Sequence, residues 1–163
     1  MSLVEEGTKS FIEGFQKQKI PLVALTSRGP SMRSNTLREL NRAQIDFSHT
    51  AIKGSFDINF KRTTTYRHGI FMTSGQHKGE MLKYLIETNS KKYKYIIFVD
   101  DHQKHTDNVY NTFKDSEIQI YTFRYGHEDE RVQEFKANTK NESKRLGKQT
   151  LALLNNIRMN TID

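Results

Sequence analysis

Two short apolar runs, each stopping abruptly at reactive residues, constrain the fold of this chain more than any other feature. Ile20-Pro21-Leu22-Val23-Ala24-Leu25 ends at Thr26-Ser27-Arg28-Gly29-Pro30, and Tyr95-Ile96-Ile97-Phe98-Val99 ends at Asp100-Asp101. Runs of this length bounded by turn residues are expected as strands buried on both faces. Pro21 suits the first positions of such a strand, where no ladder hydrogen bond is lost. Ile118 to Phe123 is expected as a further strand.

Helical patterns separate these runs. Phe11, Ile12 and Phe15 predict a helix over roughly residues 5–18, and Leu37, Leu40 and Ala43 another after Gly29-Pro30. Met81, Leu82, Leu85 and Ile86 form a core-facing stripe beginning near Lys78, and Val109, Tyr110 and Phe113 mark the next helix. Strands alternating with helices predict an α/β protein with a mainly parallel sheet and right-handed crossovers. Residues 44–76 read differently: Phe47, Ile52, Phe56, Ile58, Phe60, Ile70 and Phe71 are spaced by polar residues and Thr, as in short strands and loops. This stretch is expected as a small cap or flap. Residues 128–157 are expected as a C-terminal helical segment, with Leu146, Leu151, Leu153 and Leu154 on its apolar side.

A length of 163 residues fits one domain. The absence of Cys excludes disulfides, thiolate catalysis and zinc–cysteine sites. No apolar run approaches the ~18 residues of a membrane span, so no membrane partner is expected. The opening Met1-Ser2-Leu3-Val4-Glu5-Glu6 lacks a signal-peptide pattern and reads as a short leader joined to an internal segment. Compartment is left open. The net charge of +7, from 26 Lys and Arg against 19 Asp and Glu, favours an acidic or phosphorylated partner. The charges are dispersed and no aromatic-plus-basic motif stands out, so nucleic acid is not expected.

In a parallel sheet, ligands gather beyond the carboxyl ends of the strands. Thr26, Ser27 and Arg28 follow one strand, Asp100 and Asp101 another, and Lys78-Gly79 opens a helix between them. These groups are expected at one sheet edge. Thr26 and Lys78 suit phosphoryl oxygens; Ser27 and Arg28 suit substrate phosphate or carboxylate; Asp100 and Asp101 are hard oxygen ligands for magnesium. Each also has a plainer role: a strand-end Thr as a turn residue, Lys78 as a solvated side chain, Asp-Asp as a helix N-cap. His102 and His105 lack a third ligand and are expected as solvent-exposed residues near a helix start.

Together, Leu22-Val23-Ala24-Leu25-Thr26-Ser27-Arg28, His77-Lys78-Gly79-Glu80-Met81-Leu82 and Ile96-Ile97-Phe98-Val99-Asp100-Asp101 resemble the haloacid dehalogenase superfamily. The likeness spans roughly residues 5–125 and is nearest a little-characterised bacterial branch. The resemblance implies a Rossmann-like three-layer α/β/α fold and magnesium-dependent hydrolysis of a small phosphomonoester. It also implies an Asp-x-Asp-x-Thr strand ahead of Thr26 supplying the nucleophile, and no such motif is present. Phe56-Asp57-Ile58-Asn59 is no substitute, since it comes after Thr26, follows no apolar strand and has Asn for the second Asp. The chain is therefore expected to be the C-terminal part of a longer parent, inactive alone because no aspartyl-phosphate can form. The gap in its sheet would be closed by direct pairing of the flanking strands or by another chain, through self-association or strand exchange. The alternative is a non-catalytic module binding an acidic partner such as RNA or protein. A phosphoacceptor receiver domain is disfavoured, because there the acidic pair precedes Thr and Lys.

Overall fold

The computed structural model describes residues 7–139. The expected leucine face at 146–154 lies outside the described residues. The chain divides into two compact units, Met1–Tyr125 and Gly126–Asp163. The second unit is helical from 129 to 139 among its described residues. The candidate site belongs wholly to the first.

The first unit is mixed α/β. Helix α1 (Thr8–Lys17) precedes β1 (Ala24–Thr26), α2 (Arg33–Arg42), β2 (Phe56–Asn59), β3 (Thr63–Arg67) and β4 (Ile70–Met72). Then come α3 (Lys78–Glu87), β5 (Tyr95–Asp100), α4 (Gln103–Phe113) and β6 (Gln119–Arg124). The strands form two separate sheets, one ordered β1-β4-β3-β2 and one β5-β6. β1 runs parallel to β4, whereas β2, β3 and β4 form an antiparallel meander. β5 and β6 are parallel, with Asp100 opposite Arg124.

The 44–76 stretch contributes three strands to the larger sheet. β3 and β4 are the centre of the larger sheet, and Thr64, Thr65, Tyr66, Ile70, Phe71 and Met72 are buried there. Its polar spacing hides this because threonine is buried there beside the apolar residues. β3 turns into β4 through His68 and Gly69, both in the left-handed region at φ 51° and 76°. Such a pair of positive φ values matches the twist of a two-residue hairpin. A side chain at Gly69 would meet the Phe47 carbonyl oxygen at 2.5 Å, so glycine is required there for space as well as backbone geometry.

The first apolar run pairs over only three residues, because β4 offers only three. β1 occupies the sheet edge and is half-buried, not buried on both faces. In β5 the alternation is plain: Phe98 and Asp100 are buried, while Tyr95, Ile97 and Val99 are more than half exposed. One face therefore packs on helices and the other is open, correcting the expectation of two buried faces. Nor do the strands flanking the expected gap pair directly: β1 and β5 lie in different sheets.

Helix α3 joins the two sheets. Met81 and Leu85 pack with Ile52, Tyr66 and Phe71 of the first core cluster. Leu82 and Ile86, one residue further round, pack with Phe98, Val109 and Phe113 of the second. Leu25 and Tyr93 touch both clusters. Positions i, i+1, i+4 and i+5 widen a helical stripe enough to serve two neighbours at once. At its start α3 lies close against α4: a Cβ on Gly79 would come within 2.1 Å of Thr112 Oγ1 and 2.5 Å of the Asn108 carbonyl oxygen. That contact brings the first residue of α3 to the end of β5.

Candidate functional site

Where β1, β5 and α3 converge there is a cavity of about 620 Å³ lined by Leu25, Thr26, Ser27, Lys78, Val99, Asp100, Asp101, His102, His105 and Tyr125. Five of the six residues singled out from sequence, Thr26, Ser27, Lys78, Asp100 and Asp101, line it together. The sixth, Arg28, does not. Its guanidinium donates to Thr36 Oγ1 at 3.0 Å and Glu39 Oε2 at 2.7 Å, which turns it towards α2.

The floor of the cavity is a buried ion pair. Lys78 Nζ donates to Asp100 Oδ2 at 2.5 Å, with side chains only 7% and 6% exposed. The other carboxylate oxygen, Oδ1, accepts the His102 backbone N–H at 2.9 Å and lies 2.9 Å from His105 Nδ1. Burial works against a charged Asp100, but Lys78, the His102 N–H and His105 outweigh it and hold the carboxyl below its ordinary range. Because α4 starts at Gln103, the positive end of its dipole favours the same charge.

Local sequence explains how each group arrives. Asp100 alternates with Phe98 on the packed face of β5, so it points inward, whereas Asp101 lies past the strand and is exposed. Lys78 is the first residue of α3, capped by His77, whose Nδ1 accepts the Glu80 N–H at 3.3 Å. Thr26 ends β1 and its hydroxyl accepts the Arg28 N–H at 3.2 Å, which leaves its proton free to donate into the cavity. The Thr26 carbonyl takes the backbone N–H and the hydroxyl of Thr73, both at 2.9 Å, anchoring this strand end to the loop before α3.

His105 was missed as a site residue. His102 is two-thirds exposed, whereas His105 curls back on Asp100 from the first turn of α4 with 22% of its side chain exposed. The available signal was position: the first turn of a helix that directly follows an acidic strand end returns over that end. Tyr125 was also missed; it is drawn in because its backbone N–H donates to the Asp100 carbonyl at 2.8 Å.

Among the described residues no three acidic, His or Cys side chains are grouped as a metal cage. Magnesium does not demand one, since it commonly takes one or two carboxylates and completes its shell with water and substrate phosphate. One lysine against two aspartates leaves the cavity walls with one net negative charge, counting histidine as neutral. A phosphate dianion is repelled by such walls unless a divalent cation enters with it. Asp100 and Asp101 are the hard oxygen donors lining the cavity, and both oxygens of Asp100 are engaged by Lys78, the His102 N–H and His105.

The model of one protein family, proteins of unknown function DUF2608, matches residues 1–158, and the chain belongs to that family. This corrects the resemblance drawn from the three motifs: strand-end Thr, helix-start Lys and strand-end Asp-Asp are patterns too short to identify a superfamily. No curated protein and no solved structure matches the chain.

Proposed function

We propose that this DUF2608 chain carries a magnesium-dependent phosphomonoester site of the phosphohydrolase class. The observation that supports it is the buried Lys78–Asp100 pair at a cavity it shares with the hydroxyl-bearing end of β1. In this reading Thr26, Ser27 and Lys78 bind the phosphoryl oxygens, and Asp100 and Asp101 hold magnesium. When bound, magnesium supplies positive charge to the phosphate and lowers its repulsion by the two carboxylates. His105 and the His102 N–H keep Asp100 ionised and fix its orientation. The finer architecture that goes with this reading is a Rossmann-like three-layer arrangement completed between β1 and β5.

In this reading both carboxylates lining the cavity, Asp100 and Asp101, have other roles, and neither attacks phosphorus. Asp100 is held by three partners, and Asp101 is assigned to the metal. In this proposal the attacking group comes from a further segment or partner, and the chain by itself binds phosphate without turning it over. The test is phosphorus NMR of inorganic phosphate with magnesium and this chain, run beside turnover of a generic aryl phosphate. Binding that disappears in Asp100→Asn, with no turnover, is the expected result. Phosphate signals unaffected by the protein would overturn the reading.

A second reading shares the same observation. With no attacking carboxylate, the cavity could serve a non-catalytic module that captures a phosphorylated acidic partner. Retention of a phosphopeptide or RNA that free phosphate with magnesium competes away would favour it.

A further inference from the structure

We propose that Lys78 is a latch on Asp100 that makes magnesium and phosphate enter this cavity as a pair. The inference rests on the functional reading above and adds how the site selects its ligand. It follows from which atoms of Asp100 are occupied. Oδ2 is taken by the Lys78 ammonium at 2.5 Å, and Oδ1 by the His102 N–H and His105 at 2.9 Å each. A cation approaching alone finds Asp100 fully engaged and an ammonium beside it, both unfavourable. Among the described residues lining the cavity the exposed Asp101 is then the one accessible carboxylate, and one exposed carboxylate binds magnesium weakly.

Phosphate changes this. Lys78 lies in the same cavity wall as Thr26 and Ser27, so a phosphoryl oxygen placed among them offers the ammonium a doubly charged partner in exchange for Asp100. Moving Lys78 onto phosphate releases Asp100 Oδ2 for the metal, and the metal in turn cancels repulsion between phosphate and the aspartates. His105 and the His102 N–H remain on Oδ1, so the released carboxylate stays oriented. Each ligand therefore raises the affinity of the other by the same factor, as linkage requires. Free phosphate without metal is rejected by the net negative walls, and free metal by the latch.

The test is calorimetric titration of magnesium chloride into the full chain, with and without saturating inorganic phosphate. It is repeated on Lys78→Gln, which keeps a neutral donor towards Asp100. For the wild type, phosphate is expected to tighten magnesium binding by on the order of tenfold or more, within the usual span of coupling between sites. Lys78→Gln is expected to bind magnesium about tenfold more tightly than the wild type when phosphate is absent, and to gain little from phosphate. A variant that binds magnesium alone no better than the wild type, while the wild type still binds the pair, overturns the latch and leaves the functional reading standing. Failure of both proteins to bind either ligand overturns the functional reading, and the latch with it. Should Lys78→Gln not fold, nitrogen NMR of the Lys78 ammonium in the wild type decides. Magnesium alone should leave that resonance in place and magnesium with phosphate should move it; an equal shift with magnesium alone contradicts the proposal.

Discussion

Lys78, the first residue of α3, donates to Asp100, the last residue of β5, at 2.5 Å with both side chains almost fully buried. The pair bridges a helix that serves both sheets and the strand that delivers the acidic edge. Buried ion pairs contribute modestly when intact, because desolvation offsets their attraction, but breaking one leaves a bare charge. Lys78→Met is therefore expected to destabilise the chain by about 3–5 kcal/mol. The double variant Lys78→Met with Asp100→Leu should recover much of that loss. Denaturant unfolding of the four proteins of this cycle is the measurement.

Acid should weaken the first unit through Asp100. Its folded carboxyl lies below the ordinary range, because Lys78, the His102 N–H and His105 outweigh the opposing effect of burial. A depressed acid contributes stability that is fully present above its unfolded value, about 3.9, and is lost as pH falls through the folded one. Unfolding free energy measured against pH should decline below about pH 4, and that decline should be shallower in Asp100→Asn. Identical acid limbs in the two proteins would show that Asp100 carries no such charge.

Gly79 fixes how closely α3 and α4 approach. A methyl group there meets Thr112 Oγ1 at 2.1 Å and the Asn108 carbonyl oxygen at 2.5 Å. Gly79→Ala gains helix propensity but overpacks this contact, with a net cost expected at about 1–3 kcal/mol. Adding Thr112→Ala should relieve only part of it, since the Asn108 oxygen is backbone. Because Lys78 is adjacent, Gly79→Ala should also weaken phosphate binding, measured by phosphorus NMR.

Arg28 should prove dispensable to the site. It is committed to Glu39 and Thr36 on α2 in a partly exposed ion pair, an arrangement generally worth under about 1 kcal/mol. Arg28→Ala is expected to leave phosphate affinity unchanged and to lower the melting temperature slightly. A large loss of phosphate affinity would mean that the guanidinium swings into the cavity when ligand binds.

The convergence of Thr26, Ser27, Lys78, Asp100 and Asp101 was legible because four of them follow or end an apolar run and Lys78 opens an amphipathic helical stripe, and parallel-sheet topology carries strand ends and helix starts to one side. The turn of Arg28 towards α2 was not legible, because sequence adjacency to Thr26 says nothing of Glu39, eleven residues on. The meander over 56–72 was illegible as sheet core because Thr64 and Thr65 are buried with their neighbours, and threonine reads as surface. Its hairpin signal, His68-Gly69, is likewise weaker than Asn-Gly. The pairing of β1 over only three residues depends on the length of β4, which no local pattern in residues 20–25 records. The resemblance failed for a related reason: three short motifs describe strand and helix ends and not the family that owns them.

The central claim is that phosphate and a divalent cation meet at this cavity, and paramagnetic NMR tests it most directly. Manganese takes the place of magnesium on oxygen ligands and broadens nearby amide signals. Added to the chain with inorganic phosphate, it is predicted to broaden the Thr26, Ser27, Asp101 and His102 amides first, and to lose that effect in Asp100→Asn. Broadening that spares these four residues, or that is unchanged by the substitution, would contradict the account.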